Sequence, residues 1–444
     1  MTKRKEDQPA AVPEKATQAG DACARWAWTE PAVWTKRMLE ALEQGVKGGV
    51  WFSLWDKVYS PRNLLSAFAK VKASAGGPGA DHVTIEQFER RLDENLATLH
   101  DSLRGGNFSP QVILRAWIPK PGSKDKRPLG IPTVRDRVVQ AALRNALEPI
   151  FERDFAAHSY GFRPGRGCQD ALRRVDSLLK QGYTWVVDAD LKSYFDTIPH
   201  DKLLELVRAK VADSKVLTLL EAFLTQRIME GLKDWTPEEG APQGAVISPL
   251  LSNIYLDPLD HLMAERGFEM IRYADDFVVM CRSETEARQA LATIQAWVAE
   301  ADLVLHPEKT RVVAVTADTG FDFLGYHFRL DKRVPRQKSL QKLKDTVRRK
   351  TRRRNGHSLR FIIGDLNVSL RGWFAYFKHS HPWTFIELDK WIRMRLRSIL
   401  RRRAGRRGRG RGYDHRRWPN AFFASHGLYS LSHARDKLLQ SSRR

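Results

Sequence analysis

The sequence has few cysteines and no long apolar run. Its three cysteines, Cys23, Cys168 and Cys281, lie far apart and form no Cys-x-x-Cys pair. Their scarcity excludes a disulfide scaffold and a structural zinc site built on paired cysteines. No stretch reaches the roughly 18 apolar residues of a membrane span, and the first residues are polar, without the apolar core of a signal peptide. We therefore expect a cytoplasmic protein with no membrane partner.

Acidic residues are scarce in one region only. The 444 residues include 75 Lys/Arg and 52 Asp/Glu, which gives a net charge of +23. Residues 336–417 alone contain 26 Lys/Arg and 5 Asp/Glu, a net charge of +21, and the rest of the chain is close to neutral at +2. Such a concentration of charge indicates a polyanionic partner, either nucleic acid or an anionic membrane. No amphipathic or spanning segment accompanies the basic run, which favours nucleic acid.

Composition also divides the chain. Residues 1–24 are polar and predict a disordered tail, and a body of mixed composition follows at 25–330. A basic helical domain is expected at 331–412 and a further segment at 413–444. Helical spacing of apolar residues predicts a helix around 139–150 and another over 83–96, whereas the short apolar run at 185–187 predicts a buried strand. Strands that alternate with helices indicate an α+β or α/β body.

The residue pattern around two adjacent carboxylates suggests chemistry. Asp275 and Asp276 lie in a predicted turn between two short apolar strands within residues 270–281. Asp is common in turns, so a solvated hairpin tip is one interpretation. The strand that follows has no polar alternation, however, so the turn would project from a buried sheet, where paired carboxylates need a cation. Asp190 ends another apolar strand and could complete a set of three that binds two Mg²⁺ about 4 Å apart.

These residues carry a family resemblance. Tyr273–Asp276 (YADD) resembles the Y-x-D-D signature of reverse transcriptases, and Leu370–Phe377 (LRGWFAYF) resembles the maturase domain of group II intron proteins. Further blocks follow the order of the same family: Ile118–Pro121, Arg127–Pro132, Tyr160–Gly165, Asp190–Asp196, Pro242–Gly244 and Phe323–Tyr326. The resemblance to group II intron-encoded reverse transcriptase/maturases covers roughly residues 30–440.

The resemblance implies a fold and a function. The fold would be α+β, a right-hand polymerase with fingers and an antiparallel palm sheet at 25–330, a helical thumb/maturase domain at 331–412, and a DNA- and RNA-contacting tail at 413–444. The activity would be RNA-directed DNA polymerisation, with maturase binding of intron RNA that assists splicing and mobility. The partners would be an RNA template, intron RNA, a DNA primer or target, and deoxynucleoside triphosphates. No cysteine follows Cys281, so we expect the endonuclease domain of many relatives, which has a cysteine-bound zinc, to be absent.

The resemblance also assigns roles residue by residue. Asp190, Asp275 and Asp276 match the metal-binding carboxylates, with Asp276 the looser ligand of the two Mg²⁺ ions. Four other residues match nucleotide-binding positions: Lys120 and Arg127 at the triphosphate, Phe195 under the sugar, and Gln243 at the nucleotide or template. The alternatives are ordinary surface charge for the two cations, a core aromatic for Phe195, and a simple turn for Gln243.

The basic region contains the expected nucleic-acid contacts. They are Arg348, Arg349, Lys350, Arg352, Arg353, Arg354 and Arg371. Basic side chains interleaved with aromatic rings suit a surface that binds phosphates, and the alternative is a solvated helical face over an aromatic core. We expect both descriptions to hold. At the level of function, two alternatives stay open: a host-adopted reverse transcriptase in DNA repair or phage defence, and an RNA-binding splicing factor with a vestigial polymerase site.

Overall fold

The computed structural model describes residues 25–119, 126–410 and 412–441. They form two compact units that divide between Val312 and Val313. The predicted disordered tail, residues 1–24, lies outside the described part of the chain. The domain boundaries predicted at 330 and 412 stay predictions. Within the described residues, no helix combines the length and the hydropathy needed to cross a bilayer.

The first unit alternates helices with short strands. Its helices are α1 (Lys36–Gln44), α2 (Trp55–Val58), α3 (Pro61–Ala73), α4 (Ile85–Arg90), α5 (Leu92–Arg104), α6 (Val134–Glu152), α7 (Cys168–Lys180), α8 (His200–Arg208), α9 (Ser214–Leu224), α10 (Ser248–Glu265) and α11 (Glu284–Glu300). The strands are β1 (Ile113–Pro119), β2 (Lys126–Ile131), β3 (Trp185–Asp190), β4 (Ile228–Glu230), β5 (Lys233–Trp235), β6 (Glu269–Tyr273), β7 (Asp276–Cys281) and β8 (Arg311–Ala314), the last of which contains the division between the units. Short 3-10 turns occur at Lys47–Gly49 and Tyr194–Asp196.

Two four-stranded sheets organise this unit. One sheet has the order β2-β1-β4-β5, with β1 antiparallel to β2 and parallel to β4. The other has the order β6-β7-β3-β8, and its β6–β7 and β7–β3 pairings are antiparallel. Apart from Asp188, the strands β3 and β7 are apolar up to one end, where β3 finishes at Asp190 and β7 begins at Asp276. Such apolar strands are typical of a sheet that is buried on both faces.

The local predictions were mostly confirmed. The apolar stripe around 139–150 lies in α6, and the run at 185–187 is the buried part of β3. The single helix predicted over 83–96 was wrong, because it is broken at Arg91, whose backbone is not helical (φ −122°, ψ 40°). The Asn95 side chain donates to the Phe88 carbonyl at 2.9 Å. This hydrogen bond satisfies a carbonyl at the end of α4 that would accept from a backbone N–H in a continuous helix.

The second unit is a three-stranded antiparallel sheet followed by helices. Its elements are β9 (Phe321–Phe323), β10 (Tyr326–Phe328), β11 (Arg333–Pro335), α12 (Gln337–Lys350), α13 (Leu359–Phe377), α14 (Pro382–Arg403), α15 (Gly412–Arg417), α16 (Asn420–Ser425) and α17 (Leu431–Ser441). Asp389 on α14 is buried and accepts the backbone N–H groups of Leu431 and Ser432 at 3.0 and 3.1 Å. The last helix is therefore capped from α14, and the C-terminal segment packs as part of this unit.

A buried carboxyl joins three elements of the first unit. Asp136, in the first turn of α6, is fully buried. Its Oδ2 accepts from the Gln111 backbone N–H at 2.8 Å and from Gln226 Nε2 at 3.0 Å, so it ties α6 to the start of β1 and to the segment before β4. Burial raises the pKa of Asp136 to about 6, although these hydrogen bonds act in the opposite direction.

We predict that Asp136 makes stability depend on pH. Its pKa is higher in the folded protein than in the unfolded chain, so its contribution is fully present below about pH 4 and is lost as pH rises through about 6. The loss amounts to roughly 3 kcal/mol. Asp136→Asn keeps an acceptor for both donors without the charge, so the free energy of unfolding should rise at pH 8 and change less between pH 4 and pH 7. Urea unfolding at several pH values checks this, with exposed Asp93→Asn as the control. An unchanged pH profile in Asp136→Asn would contradict the prediction.

Candidate active site

A tight hairpin brings the predicted carboxylates to one end of the second sheet. Tyr273 on β6 pairs with Asp276 on β7, so Ala274 and Asp275 form a two-residue turn. Ala274 has φ +60°, and two-residue hairpin turns favour a positive φ at this position because it matches the twist of the strands. On the other side of β7, Asp276 pairs with Asp190 of β3. The predicted hairpin is confirmed, and the β3–β7 pairing places Asp190, which is distant in sequence, beside the turn of Asp275 and Asp276.

The turn is held from one side by a close backbone contact. Tyr160 N–H donates to the Arg272 carbonyl at 2.8 Å, so the segment before Gly161 runs beside β6. A Cβ atom at Gly161 would lie 2.2 Å from Ala274 N. Any larger residue would push the turn away, because the obstacle is backbone and cannot rotate aside. The Tyr160–Gly165 block therefore contributes a contact surface for the hairpin.

The turn is held from beneath by a buried ion pair. Arg272 is fully buried, and its Nε donates to both carboxylate oxygens of Asp260 on α10 at 2.8 and 2.9 Å. Its Nη1 donates to Asn253 Oδ1 and to the Ala274 carbonyl, each at 3.0 Å. Asn253 in turn donates to the Gly161 carbonyl at 2.9 Å. This closed network joins α10, the turn and the Gly161 segment, so Arg272 is a positioning residue for Asp275.

The carboxylates repel each other, and a cation offsets part of that repulsion. Burial raises the pKa of Asp275, and the nearby charge of Asp190 raises it further, whereas Arg127 acts in the opposite direction. Lys309 forms an ion pair with Asp190. Sequence reasoning did not identify Lys309. Its position follows from long-range pairing, in which the His306 N–H donates to the Asp190 carbonyl at 2.7 Å, and no local pattern predicts such a contact.

One cavity contains most of the predicted catalytic and nucleotide-binding residues. It has a volume of about 880 Å³, and its lining includes Asp190, Asp275, Arg127, Phe195 and Gln243. Asp276 does not line it. Of the remaining predicted nucleotide-binding residues, Lys120 lies outside the described residues.

Two backbone contacts fix the positions of Phe195 and Gln243. The Phe195 carbonyl accepts from the Ala241 N–H at 2.7 Å, and its half-buried ring also packs against the core, so the core-aromatic alternative holds in part. The Gln243 carbonyl accepts from the Gly130 N–H at 2.7 Å. A Cβ at Gly244, which has φ +113°, would lie 2.6 Å from the Gly130 carbonyl oxygen. The turn at Gln243 is therefore packed on β2, the strand of Arg127.

The carboxylates fit a hard cation in charge and donor type. Within the described part of the chain, no group of three or more His, Cys, Asp or Glu side chains is clustered so as to hold a metal ion. Asp190 and Asp275 nevertheless line the same cavity and interact electrostatically, and both offer the oxygen ligands that Mg²⁺ prefers. The metal-ligand roles of Asp190, Asp275 and Asp276 stay predictions.

The predicted nucleic-acid contacts differ in their exposure to solvent and in their ion pairs within the protein. Arg349, Arg352–Arg354 and Arg371 are exposed. Arg348 pairs with Asp345 at 2.6 Å, and Lys350 pairs with Asp365 at 2.7 Å. Trp373 and Trp391 pack on the apolar core of the second unit, as the aromatic-core alternative expects, whereas Trp383 is 62% exposed.

Two family profiles match the chain in series. The profile described as "Reverse transcriptase (RNA-dependent DNA polymerase)" matches residues 118–328, and "Group II intron, maturase-specific domain" matches residues 340–418. The predicted α+β polymerase fold with a helical maturase region is thereby confirmed. The predicted enzyme class, an RNA-directed DNA polymerase domain, is confirmed as well.

Individual proteins are similar over different lengths. Protein YkfC of Escherichia coli (strain K12) is 35% identical, and the match covers 68% of this chain and 85% of YkfC. The group II intron-encoded protein LtrA of Lactococcus lactis subsp. cremoris is 39% identical over 39% of this chain, which is 29% of LtrA. Among solved structures, the match to a chain of the partial Cas6-RT-Cas1–Cas2 complex covers 56% of this chain and 41% of that chain at 25% identity, with a TM-score of 0.37.

The domain order and the extent of the match with YkfC agree with the blocks found along the sequence. The chain spans less than a third of LtrA, so activities of that whole protein do not transfer with the match. This chain therefore belongs to the family of group II intron reverse transcriptases and maturases.

Proposed function

We propose that the first unit extends a DNA primer on an RNA template and that the second unit binds intron RNA, assisting splicing and mobility. The observation that carries the proposal is the single cavity lined by Asp190, Asp275, Arg127, Phe195 and Gln243. Acidic and basic side chains face one space there, as a nucleoside triphosphate and its metal ions require. The reaction is attack of the primer 3′-OH on the α-phosphate of a deoxynucleoside triphosphate, with pyrophosphate as the leaving group.

The acidic and basic residues of the predicted site have different roles in this proposal. Asp190 and Asp275 would hold two Mg²⁺ ions, and Asp276 would contribute more loosely from beside them. When bound, such ions lower the charge repulsion between phosphate and nucleophile and stabilise the attacking and leaving oxygens. Arg127, together with Lys120, would bind the triphosphate, since a guanidinium offers forked donors and an ammonium a point charge.

Two further residues would select and orient the nucleotide. Phe195 would lie under the sugar, where a bulky ring excludes a 2′-OH and so favours deoxynucleotides. Its backbone hydrogen bond with Ala241 restrains the main chain that carries the ring. Gln243 would contact the nucleotide or the template from the turn packed on β2.

The second unit would bind RNA through exposed cations. The candidate contacts are Arg348, Arg349, Lys350, Arg352, Arg353, Arg354 and Arg371. Support comes from the exposure of Arg352–Arg354 on the loop after α12 and from the local excess of positive charge. The cytoplasm is the proposed location, and intron RNA and a DNA target are the proposed partners.

We expect Asp275→Asn to abolish most primer extension. The amide removes the charge that would hold a cation, so extension of a DNA primer on an RNA template with Mg²⁺ should fall at least about a hundredfold. The matched control is Asp188→Asn, which lies on the same strand as Asp190, pairs with Arg311 and does not line the cavity. Its activity should stay near the wild-type rate.

Two outcomes of this experiment would contradict the proposal. Full activity of Asp275→Asn would remove Asp275 from the metal site. Absence of extension by the wild-type chain, with splicing of a cognate intron that survives Asp275→Asn, would favour a splicing factor with a vestigial polymerase site.

We expect Gly161→Ala to reduce polymerisation without unfolding the protein. The added methyl group would meet Ala274 N at 2.2 Å and displace the turn that carries Asp275. Displacement of a reacting group by about 1 Å can cost on the order of a hundredfold in rate. Primer extension and circular dichroism should be measured together. The control is Gly77→Ala, whose Cβ has nothing within 4 Å, and equal rates for both variants would refute the positioning role.

We expect RNA affinity to fall steeply as salt rises. Each phosphate contact contributes about −0.7 to the slope of log affinity against log salt for a single strand, so replacing Arg352, Arg353 and Arg354 with Ala should reduce the slope by roughly 2. Filter binding at several salt concentrations measures it. The charge-matched control replaces exposed Arg62, Arg90 and Arg104 of the first unit. A slope equally affected in both variants would indicate unspecific charge rather than a defined surface.

A further inference from the structure

Two exposed indole rings lie on the sheet β2-β1-β4-β5. Trp117 on β1 is 44% exposed, and Trp235 on β5 is 36% exposed. Both residues line the cavity that contains Asp190 and Asp275. The β1–β4 and β4–β5 pairings put the two rings on the same face of the sheet, because Ile113 pairs with Ile228, which pairs with Trp235. Neither tryptophan belongs to the residues assigned above to metal or nucleotide binding.

A guanidinium group lies between the two rings. The Arg115 Cζ atom is 4.8 Å from the Trp235 ring centroid and 5.9 Å from the Trp117 ring centroid. Cation–π attraction acts within about 6 Å, so one arginine orients both indoles. Arg115 also lines the cavity, which places a positive charge next to the exposed aromatic faces. We call Arg115, Trp117 and Trp235 the indole platform.

The platform is ordered before any ligand arrives. Trp117 Nε1 donates to Glu230 Oε1 at 2.6 Å, which fixes the edge of that ring against β4. Because a rotamer held in advance loses little entropy on binding, a ligand that stacks here gains most of the contact energy. The combination of flat aromatic faces and a fixed cation is typical of sites for single-stranded nucleic acid.

The place of the platform in the cavity points to one strand. A base inside a duplex has both faces stacked, whereas an unpaired base next to the duplex can stack on an exposed indole. In the proposed reaction, the primer is paired with the template at the carboxylates, and the incoming nucleotide pairs with the templating base. The template ahead of that base is single-stranded, and its next base has a free face.

We infer that the indole platform stacks the first unpaired template base ahead of the one being copied and so holds the template in register. The inference rests on the proposed polymerase function. It assigns Trp117 and Trp235 as template-binding residues and Arg115 and Glu230 as residues that position them. A stacked base of any sequence fits, because every base has a π face.

The test compares binding of blunt and overhanging duplexes by the full chain. Fluorescence anisotropy measures affinity for a DNA primer paired with an RNA template, either blunt or with a short 5′ template overhang, in EDTA and without nucleotide. We expect the wild-type chain to bind the overhanging duplex about tenfold more tightly. An abasic position at the first unpaired nucleotide should remove most of this gain.

Variants then locate the effect. Trp117→Ala and Trp235→Ala should each lose most of the overhang gain while affinity for the blunt duplex stays unchanged, and Trp117→Phe should retain it because a ring remains. Trp383→Ala, at a 62% exposed position of the second unit, is the matched control and should keep the full gain. Equal wild-type affinity for blunt and overhanging duplexes would overturn the inference, as would a gain that persists with the abasic template or in both Trp→Ala variants.

A negative result for the indole platform can be distinguished from a negative result for the proposed polymerase function. Binding in EDTA needs no metal and no chemistry, so it tests the platform alone, and the abasic arm uses only the wild-type protein. Primer extension by the wild-type chain on the same overhanging duplex tests the polymerase. A chain that extends primers but gains nothing from the overhang keeps the function and loses the platform.

Discussion

The buried pair of Arg272 and Asp260 is the constraint on which the catalytic end of the first unit depends. Burying two charges costs several kcal/mol in desolvation and is tolerated only when their remaining donors and acceptors are satisfied. Here the Arg272 guanidinium also donates to Asn253 and to the Ala274 carbonyl. The hydrogen bonds that compensate its charge therefore also fix the shape of the turn. Loss of either Arg272 or Asp260 would leave the other as an unpaired buried charge and would at the same time release the turn. The position of Asp275 is thus coupled to the packing of α10.

The distribution of charge separates two tasks within one chain. At the cavity, like charges are brought together, and the raised pKa of Asp275 reflects its burial and the proximity of Asp190. The ion pair between Lys309 and Asp190 lowers that repulsion without removing it, since the ammonium is on the exposed side. In residues 336–417 the excess is positive and largely solvated. The paired carboxylates and the excess of positive charge therefore belong to different compact units.

Sequence reasoning succeeded where structure is local and failed where it is not. The hairpin around Asp275 and the strand before Asp190 follow from apolar runs next to turn residues, and the basic helices follow from spacing. Arg272 gave no signal, because an arginine between apolar strand residues suggests a solvent-facing position rather than full burial against Asp260. The platform rests on a parallel pairing of β1 with β4 across more than a hundred residues, which no periodicity predicts.

The shape of the cavity is set by backbone contacts more than by side chains. Gly161 lies against Ala274 and Gly244 against Gly130, and in both places a methyl group would overlap main-chain atoms. These two contacts hold the carboxylate turn and the Gln243 turn, and Asp275 and Gln243 line the same cavity as Arg127 and Phe195. Since main chain cannot adjust as a rotamer can, the frame stays constant while the lining side chains determine chemistry and selection. Under the proposed function, substitutions at Phe195 or Gln243 should therefore change which nucleotide is accepted, whereas substitutions at the glycines should change whether the carboxylates meet the nucleotide at all.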